Sequence, residues 1–406
     1  MNDEEEFRSR VRTFLEHNGV ARGVSGAGDL DESAGGDDEM VSHAKAFQRA
    51  KFDAGLAGLT WPVEYGGQGL SGRYQTIYND EASNFVTPDF IFTIGFGMCI
   101  PTVLTHGAEH LRTRYAPAAL RGDEIWCQLF SEPSAGSDVA GLQSRAIRDG
   151  DEWLLSGQKV WTTQAQHCSF GIVLARTNPD VPKHKGLSMF IVDMHAPGVT
   201  VRPLRQMNGG SSFNEVFFDD VRIPADHILG EPGEGWRVAL TTLMNERVAI
   251  GAGRSTEDGS HLAPIQLHLD LATKHGRRGD PVVRQDIVGL FIEYRILDLL
   301  GLRIRSTVAA GGIPGPEGSV AKLSGALLAR RSSDVAARIA GLSATAWSEG
   351  DRDAQRVVQM VLTAPAGAIA GGTSEVMRNI LGERVLGLPR EPSVDRDVPF
   401  SAIPRH

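Results

Sequence analysis

The spacing of apolar residues changes twice along this chain, and this change limits the folds that it can adopt. Near the N-terminus, Phe7, Val11 and Phe14 recur at helical spacing. From about residue 121 to 230 the period becomes two, and turn clusters separate the alternating segments. After Gly235 the helical period returns. This order predicts a helical part, an antiparallel β sandwich or barrel, and then a bundle of helices.

The composition argues against several classes of protein. A chain of 406 residues with 41% hydrophobic residues buries a large core in two or three domains. Its net charge of -9, without a basic block, argues against nucleic acid as the main partner. Three cysteines without a CxxC pair predict neither a disulfide framework nor a metal site. The N-terminus is acidic and no apolar run approaches bilayer length, so we expect a soluble, cytoplasmic protein without a membrane span.

Residues 126–163 contain the most informative run of side chains. A stretch rich in small residues carries three hydroxyls, at Ser131, Ser134 and Ser137, and two alternating segments after it end in Trp161 and two threonines. Small residues let a ligand approach the backbone, and a tryptophan beside hydroxyls offers a stacking surface with hydrogen-bond donors next to it. This combination favours a planar cofactor with polar edges, such as a flavin.

One carboxylate stands out in the C-terminal half. Leu243, Glu246 and Ile250 lie at i, i+3 and i+7, so Glu246 interrupts the apolar stripe of a predicted helix. Burial on such a face raises the pKa of a carboxyl group, which is how a general base is tuned. The alternative is an ordinary ion pair of Glu246 with Arg247 or with a distant arginine.

Two helix starts are indicated by their capping residues. Asp280 followed by Pro281 predicts a capped N-terminus, and Ser319 is expected to cap the helix after a loop at 309–319. Gly371 and Gly372 precede a further helix whose predicted cap is the next residue, Thr373, or Ser374. Such a terminus suits a phosphate or a developing oxyanion, and an ordinary glycine turn explains the same residues equally well.

The motifs, taken in order, resemble those of the acyl-CoA dehydrogenase family over nearly the whole chain. The matching segments read WPVEYGG, SEPSAGSDVAGL, GQKVWTT, FNEVFFDDVRIP, GEGWRVAL, ERVAIGAG and GGTSEVMRNILGERVLGLP. The resemblance implies an α+β fold with an N-terminal helical domain at 1–120, a central antiparallel β-domain at 121–232 and a C-terminal four-helix bundle at 233–406. It also implies FAD as the cofactor and an acyl-CoA thioester as the substrate.

The same resemblance assigns site residues by position. The residues expected to bind FAD are Phe130, Ser131, Ser137, Trp161, Thr163, Gln285, Thr373 and Glu375. Those expected to bind the substrate are Ser137, Arg247 and Gly371, the last through its backbone N–H. The resemblance further implies a homodimer or homotetramer, with a hetero-oligomer as a further possibility, and an electron-transferring flavoprotein as the electron acceptor.

The chain departs from the commonest family pattern at the catalytic position. Many members carry the catalytic Glu directly before the GT pair, where this chain has Gly371. A branch resembling the isovaleryl-CoA and long-chain enzymes places its Glu in an ER pair on an earlier helix, which matches Glu246 and Arg247 here. We therefore expect Glu246 to remove the substrate α-proton while the β-hydride leaves to the flavin, giving a trans-2-enoyl-CoA.

Two other functions fit the same residues. The first is a non-catalytic subunit that binds FAD or acyl-CoA within a hetero-oligomeric dehydrogenase, which Gly371 favours and Glu246 opposes. The second is a flavin oxidase or monooxygenase on the same fold.

Overall fold

The computed structural model describes residues 3–21, 38–251, 265–309, 317–348 and 350–404, without the side chains of 246–251, 308 and 309. The chain forms two compact units. The first contains residues 1–246 together with 391–406, and the second contains 247–390. The domain boundaries expected at residues 120 and 232 stay predictions.

Helices with one apolar face open the first unit. They are α1 (Asp3–Asn18), α2 (Asp38–Asp53), α3 (Gly72–Ala82), α4 (Ile100–His106) and α5 (Glu109–Leu120). The predicted helical spacing is confirmed in α1, because Phe7, Val11, Phe14 and Leu15 are its buried residues. They pack against Phe47 of α2 and the apolar side of α3. Two short strands, β1 (Val20–Ala21) and β2 (Phe85–Val86), pair antiparallel beside them.

A mostly antiparallel sheet follows these helices. Its strands are β3 (Trp126–Leu129), β4 (Arg145–Asp149), β5 (Glu152–Thr163), β6 (Phe170–Arg176), β7 (Leu187–Asp193), β8 (Val199–Leu204), β9 (Phe213–Pro224) and β10 (Ile228–Leu229). Neighbours run in the order β10-β7-β6-β4-β5-β9-β8, and β3 also pairs with β6. The pairings of β3 and β4 with β6 are parallel, a detail that the prediction of an antiparallel domain did not contain.

The central strands are buried on both faces of the sheet. In β6, Ile172 and Leu174 belong to one apolar cluster, whereas Val173 and Ala175 belong to another. Strand β7 divides its side chains in the same way. Alternate residues point to opposite faces of a strand, so each face of the sheet contributes to its own core. This double burial explains why most residues of β6 and β7 are apolar.

The second unit is helical over its described residues. Helix α6 (Gly235–Gly251) leads from the first unit into α7 (Gln266–Lys274), α8 (Pro281–Ala309), α9 (Glu317–Ala340), α10 (Arg352–Gly367) and α11 (Ser374–Arg384). The predicted cap of α8 is confirmed, since Asp280 Oδ1 accepts from the backbone N–H of Val282 at 2.9 Å. The expectation for Ser319 was wrong, because α9 begins at Glu317 and Ser319 is buried within its first turn.

One apolar segment is longer than we expected. Asp89–His106 spans 18 residues with a mean hydropathy of 1.3, and its length and composition alone are compatible with a membrane span. Within the fold, Phe92, Ile100 and Val103 of this segment are core residues. Core helices of globular domains pass the same test, so this segment is weak evidence for a membrane span.

Candidate functional site

The loop that follows β3 is held by a buried ion pair. Lys159 of β5 is fully buried, and its Nζ donates to Glu132 Oε1 at 2.8 Å and to the carbonyl of Phe130 at 3.0 Å. The two Glu132 oxygens also accept from the backbone N–H groups of Gln143 (2.6 Å) and Ser144 (2.9 Å). Both ends of the loop 130–144 are thereby fixed to one carboxylate.

The protonation state of Glu132 follows from these contacts. Burial acts to raise its pKa, but the charge and hydrogen bond of Lys159 and the donors at Ser144 and Gln143 outweigh it. The pKa of Glu132 therefore lies below its ordinary value, and the carboxylate is ionised at neutral pH. Its partner Lys159 is opposed by burial in the same way, which makes each charge dependent on the other.

The backbone at the end of β5 turns an aromatic ring outward. The pairing of β5 with β9 is irregular between Lys159 and Thr162, and Trp161 adopts a φ of +61° there. Such a conformation is rare for a bulky residue and marks local strain that clusters at functional sites. Trp161 is 61% exposed, and its ring meets that of Phe213 edge to face at 6.1 Å between centroids. A large exposed ring on strained backbone is a surface suited to stacking with a planar ligand.

The structure brings several predicted residues together around this ring. Ser131 lies beside the end of β5, because its carbonyl accepts from the N–H of Val160 at 2.9 Å. Thr163 is half-buried and pairs with Phe213 across the sheet, and Phe130 is buried in the core below. Ser137 is exposed farther along the loop. These residues offer an aromatic face, hydroxyls and backbone groups, which is a set that fits the ring of a flavin.

Two predicted residues of the second unit, Gly371 and Thr373, lie in the glycine turn and the cap before α11. Gly371 and Gly372 adopt φ values of +65° and +92°, and a Cβ on Gly372 would meet Met377 Cε at 2.7 Å. The buried Lys322 of α9 donates through Nζ to the carbonyl of Gly372. Thr373 is the cap of α11, as predicted, since its Oγ1 accepts from the N–H of Val376 at 3.1 Å.

The other predicted residues have simpler surroundings. Glu375 is exposed in the first turn of α11, where it pairs with Arg378 at 3.3 Å. Gln285 is exposed in α8. The predicted helix around Glu246 is confirmed as α6, but the side chains of Glu246 and Arg247 lie outside the described residues. Their assignments stay predictions.

Sequence reasoning missed the residues that support the loop. Glu132 and Lys159 form its buried ion pair, and Arg176 donates to the carbonyls of Ala140 and Leu142 at 2.6 and 3.4 Å. A charged residue inside an apolar strand, as in GQKVW, was a usable signal for Lys159. Its partner lies 27 residues away in a loop, and no local pattern identifies it.

Comparison with known proteins gives a consistent result over the chain. Residues 1–123, 127–221 and 233–386 match the N-terminal, middle and C-terminal domain models of acyl-CoA dehydrogenases. Acyl-CoA dehydrogenase IpdE1 of Mycobacterium tuberculosis is 35% identical over 96% of this chain and 99% of its own length. The chain therefore belongs to the acyl-CoA dehydrogenase family, a family of flavin-dependent oxidoreductases, and is an acyl-CoA dehydrogenase by class.

Two solved structures show the same fold. One is described as "Tcur3481-Tcur3483 steroid ACAD", with a TM-score of 0.81 and 26% identity over 96% of this chain and 99% of that chain. The other is the ChsE4-ChsE5 complex from Mycobacterium tuberculosis, with a TM-score of 0.77 and 27% identity over the same shares. The predicted order of a helical, a β and a second helical domain is confirmed by these matches.

Breaking the buried ion pair should lower the stability of the folded protein by a measurable amount. We expect Glu132→Ala to lower the free energy of unfolding by about 3–5 kcal/mol, because it leaves Lys159 charged and buried without its partner. Urea denaturation followed by circular dichroism measures this loss. The double variant Glu132→Gln/Lys159→Met should recover part of it, since no uncompensated charge remains.

A matched control uses an exposed pair of the same sheet. Glu152→Gln breaks the contact of Glu152 with Arg222 at 2.6 Å, and we expect no measurable change in stability because solvent screens that pair. Equal effects of the Glu152 and Glu132 variants would show that Glu132 does not support the loop.

Proposed function

We propose that this chain is an FAD-dependent acyl-CoA dehydrogenase that uses Glu246 as its base. The reaction removes a proton from the α-carbon and a hydride from the β-carbon of an acyl-CoA thioester. The product is a trans-2-enoyl-CoA. FAD, when bound, supplies the acceptor for the hydride and its two electrons.

The observation that supports Glu246, and not residue 371, as the position of the base is the backbone conformation of Gly371. A φ of +65° lies in the left-handed region, which costs an L-residue such as glutamate about 1–2 kcal/mol. This turn therefore disfavours a carboxylate where the commonest family pattern has one. The remaining family position for the base is Glu246, on the helix α6. The chemistry needs one base, and this chain offers it there.

The residues of the turn have a separate task in the proposed reaction. Removing the α-proton places negative charge on the thioester oxygen, which a backbone N–H stabilises without any side chain. We assign this donor to Gly371. Lys322 donates to the neighbouring Gly372 carbonyl and thereby supports the turn. Arg247 is assigned to the acyl-CoA cleft.

Each of the two units contributes residues that we assign to FAD binding. In the first unit Trp161, Ser131 and Thr163 would line the flavin ring, with Phe130 below and Ser137 nearer the substrate. In the second unit Thr373, Glu375 and Gln285 carry the family positions for the rest of FAD. An electron-transferring flavoprotein is the proposed acceptor, and the cytoplasm is the proposed location.

The substrate class to test first is suggested by one neighbouring structure. A neighbouring solved structure is described as a steroid enzyme. We therefore propose a thioester of a steroid-derived acid as the first substrate to test, ahead of straight and branched acyl chains. An anaerobic titration of the flavin-loaded protein with such a panel reports the preferred class by bleaching of the flavin absorbance.

Removing the exposed ring should weaken cofactor binding and leave the fold intact. We expect Trp161→Ala to raise the Kd for FAD about fivefold, because a stacking contact is worth about 1 kcal/mol. Unfolding free energy should change by no more than about 0.5 kcal/mol, since the indole is mostly solvent-exposed without the cofactor. Fluorescence titration of the FAD-free protein measures the affinity.

The control for this variant is another exposed apolar residue of the sheet. Ile147 on β4 is 55% exposed, and Ile147→Ala should leave the FAD affinity unchanged. Trp161→Phe retains a ring and should fall between the wild type and the alanine variant. Equal FAD affinities of the alanine variant and the wild type would rule out stacking on Trp161.

Loss of the proposed base should abolish reduction without loss of cofactor. We expect Glu246→Gln to bind FAD normally but to slow acyl-CoA-dependent flavin reduction by about 10²–10⁴. Anaerobic stopped-flow absorbance measures the rate and excludes any direct reaction with oxygen. Glu231→Gln changes an exposed carboxylate just before α6 and serves as the control. A wild-type rate in the Glu246 variant would assign the base to another residue.

A second candidate function is a subunit of a paired assembly. One solved structure named above is a complex of two differently named proteins, and the description of the other also joins two names. In this chain, one face of α8 exposes Val288, Ile292, Ile296 and Leu299, each about half accessible. Such a contiguous apolar stripe is typical of an interaction surface. We propose that subunits associate through this stripe, with a second copy of this chain as the first partner to test.

The assembly is tested by mass and by turnover of the purified chain. Light scattering after gel filtration should give a multiple of the chain mass, and Ile292→Glu/Ile296→Glu should reduce it to one chain. Leu342→Glu, exposed outside the stripe, should leave the mass unchanged. A chain that turns over no acyl-CoA alone but co-purifies with a related chain would instead be a subunit of a hetero-oligomer.

A further inference from the structure

The C-terminal residues of the described chain return to the β sheet of the first unit. We call residues 391–404 the C-terminal strap. It pairs with the loop between β6 and β7, where Phe400 N–H donates to the carbonyl of Val181 at 3.0 Å and Ser401 N–H to that of Pro179 at 2.8 Å. Pro182 and Pro399 form an isolated antiparallel bridge between the same segments. The strap is thus docked by backbone hydrogen bonds as well as by side chains.

A buried arginine connects the strap to the loop 130–144. The ring of Phe400 is buried, and the Arg176 guanidinium carbon lies 3.4 Å from its centroid. The same guanidinium donates to the carbonyls of Ala140, Leu142 and Lys183. Phe400 therefore covers the Arg176 guanidinium, which holds the loop 130–144 through the carbonyls of Ala140 and Leu142.

A second connection runs through Lys183. Its ammonium donates to Asp395 of the strap at 2.6 Å and to Asp138 of the loop at 2.8 Å. The Lys183 hydrogen bond lowers the pKa of Asp395 to about 2, so the bridge is charged throughout the neutral range. Asp138 directly follows Ser137, which is assigned to flavin and substrate binding. The strap is therefore connected to the loop at two places: through Lys183 at residue 138, and through Arg176 at residues 140 and 142.

We propose that the C-terminal strap positions the loop 130–144 for ligand binding, with Asp395 and Phe400 as its positioning residues, which act through Lys183 and Arg176 respectively. Holding a binding loop in one conformation before the ligand arrives lowers the entropic cost of binding. The identity of the ligands rests on the function proposed above, but the mechanical connection does not. Nothing in these contacts requires FAD or acyl-CoA to be present.

The first experiment measures the loop directly in the FAD-free protein. Hydrogen–deuterium exchange with mass spectrometry should show faster exchange at 130–144 in Asp395→Asn and in Phe400→Ala than in the wild type. Val394→Ala, a 95% exposed strap residue, is the matched control and should not change the loop. Asp395→Glu retains the charge and should restore most of the protection.

The second experiment measures the consequence for the reaction. Displacement of a binding group by about 1 Å costs up to about 100-fold in rate, so we expect at least a tenfold slower flavin reduction by acyl-CoA in the two strap variants. The apparent affinity for acyl-CoA should fall as well.

The outcomes separate the two proposals. Faster exchange confined to residues 391–404, with an unchanged loop, would show that the strap docks without positioning anything and would overturn this inference. A wild-type protein that binds no FAD, or reduces none with any acyl-CoA, would overturn the proposed function. The exchange result would still decide the role of the strap in that case.

Discussion

The candidate site of the first unit depends on one buried contact, between Lys159 and Glu132. A lone charge in a protein interior is strongly unfavourable, so each of these residues is tolerated only in the presence of the other. Because Lys159 belongs to β5 and Glu132 to the loop after β3, the pair ties strand and loop into one structure. The same carboxylate receives two backbone N–H groups from the far end of the loop. A glycine- and serine-rich segment that would otherwise be mobile thereby gains a defined shape.

This rigid support stabilises the strained backbone conformation of Trp161. A bulky residue with a positive φ costs about 1–3 kcal/mol and persists only where its surroundings hold it. Here Lys159 is fixed on one side, and Asn214 donates to the carbonyl of Thr162 on the other, at 3.1 Å. At Trp161 the regular pairing of the strand is interrupted. The alternation of side chains is broken there, and the indole points outward. The buried ion pair and the strained residue Trp161 therefore belong to the same local structure.

The elements were predictable from sequence to the extent that they follow a period. The helix of Phe7 and Val11 and the strands from 121 to 230 are found as expected, and so is the Asp280 cap. Contacts between residues distant in sequence were not predictable. Neither the 27-residue separation of Lys159 and Glu132 nor the return of Phe400 to Arg176 leaves a local pattern. The prediction for Ser319 was wrong for a related reason. A serine hydroxyl caps a helix only from the position just before its first helical residue, and α9 begins two residues before Ser319.

The conformation of Gly371 and Gly372 has a consequence for how the proposed chemistry is divided. A backbone donor needs the right peptide orientation but no particular side chain, whereas a base needs a carboxylate on a firm support. Two consecutive left-handed residues orient peptide groups well, yet they hold an L-side chain only with strain. A helix has the opposite properties, because its side chains are well supported and its interior N–H groups are used within it. Assigning the donor to Gly371 and the base to Glu246 gives each element the task that its backbone permits.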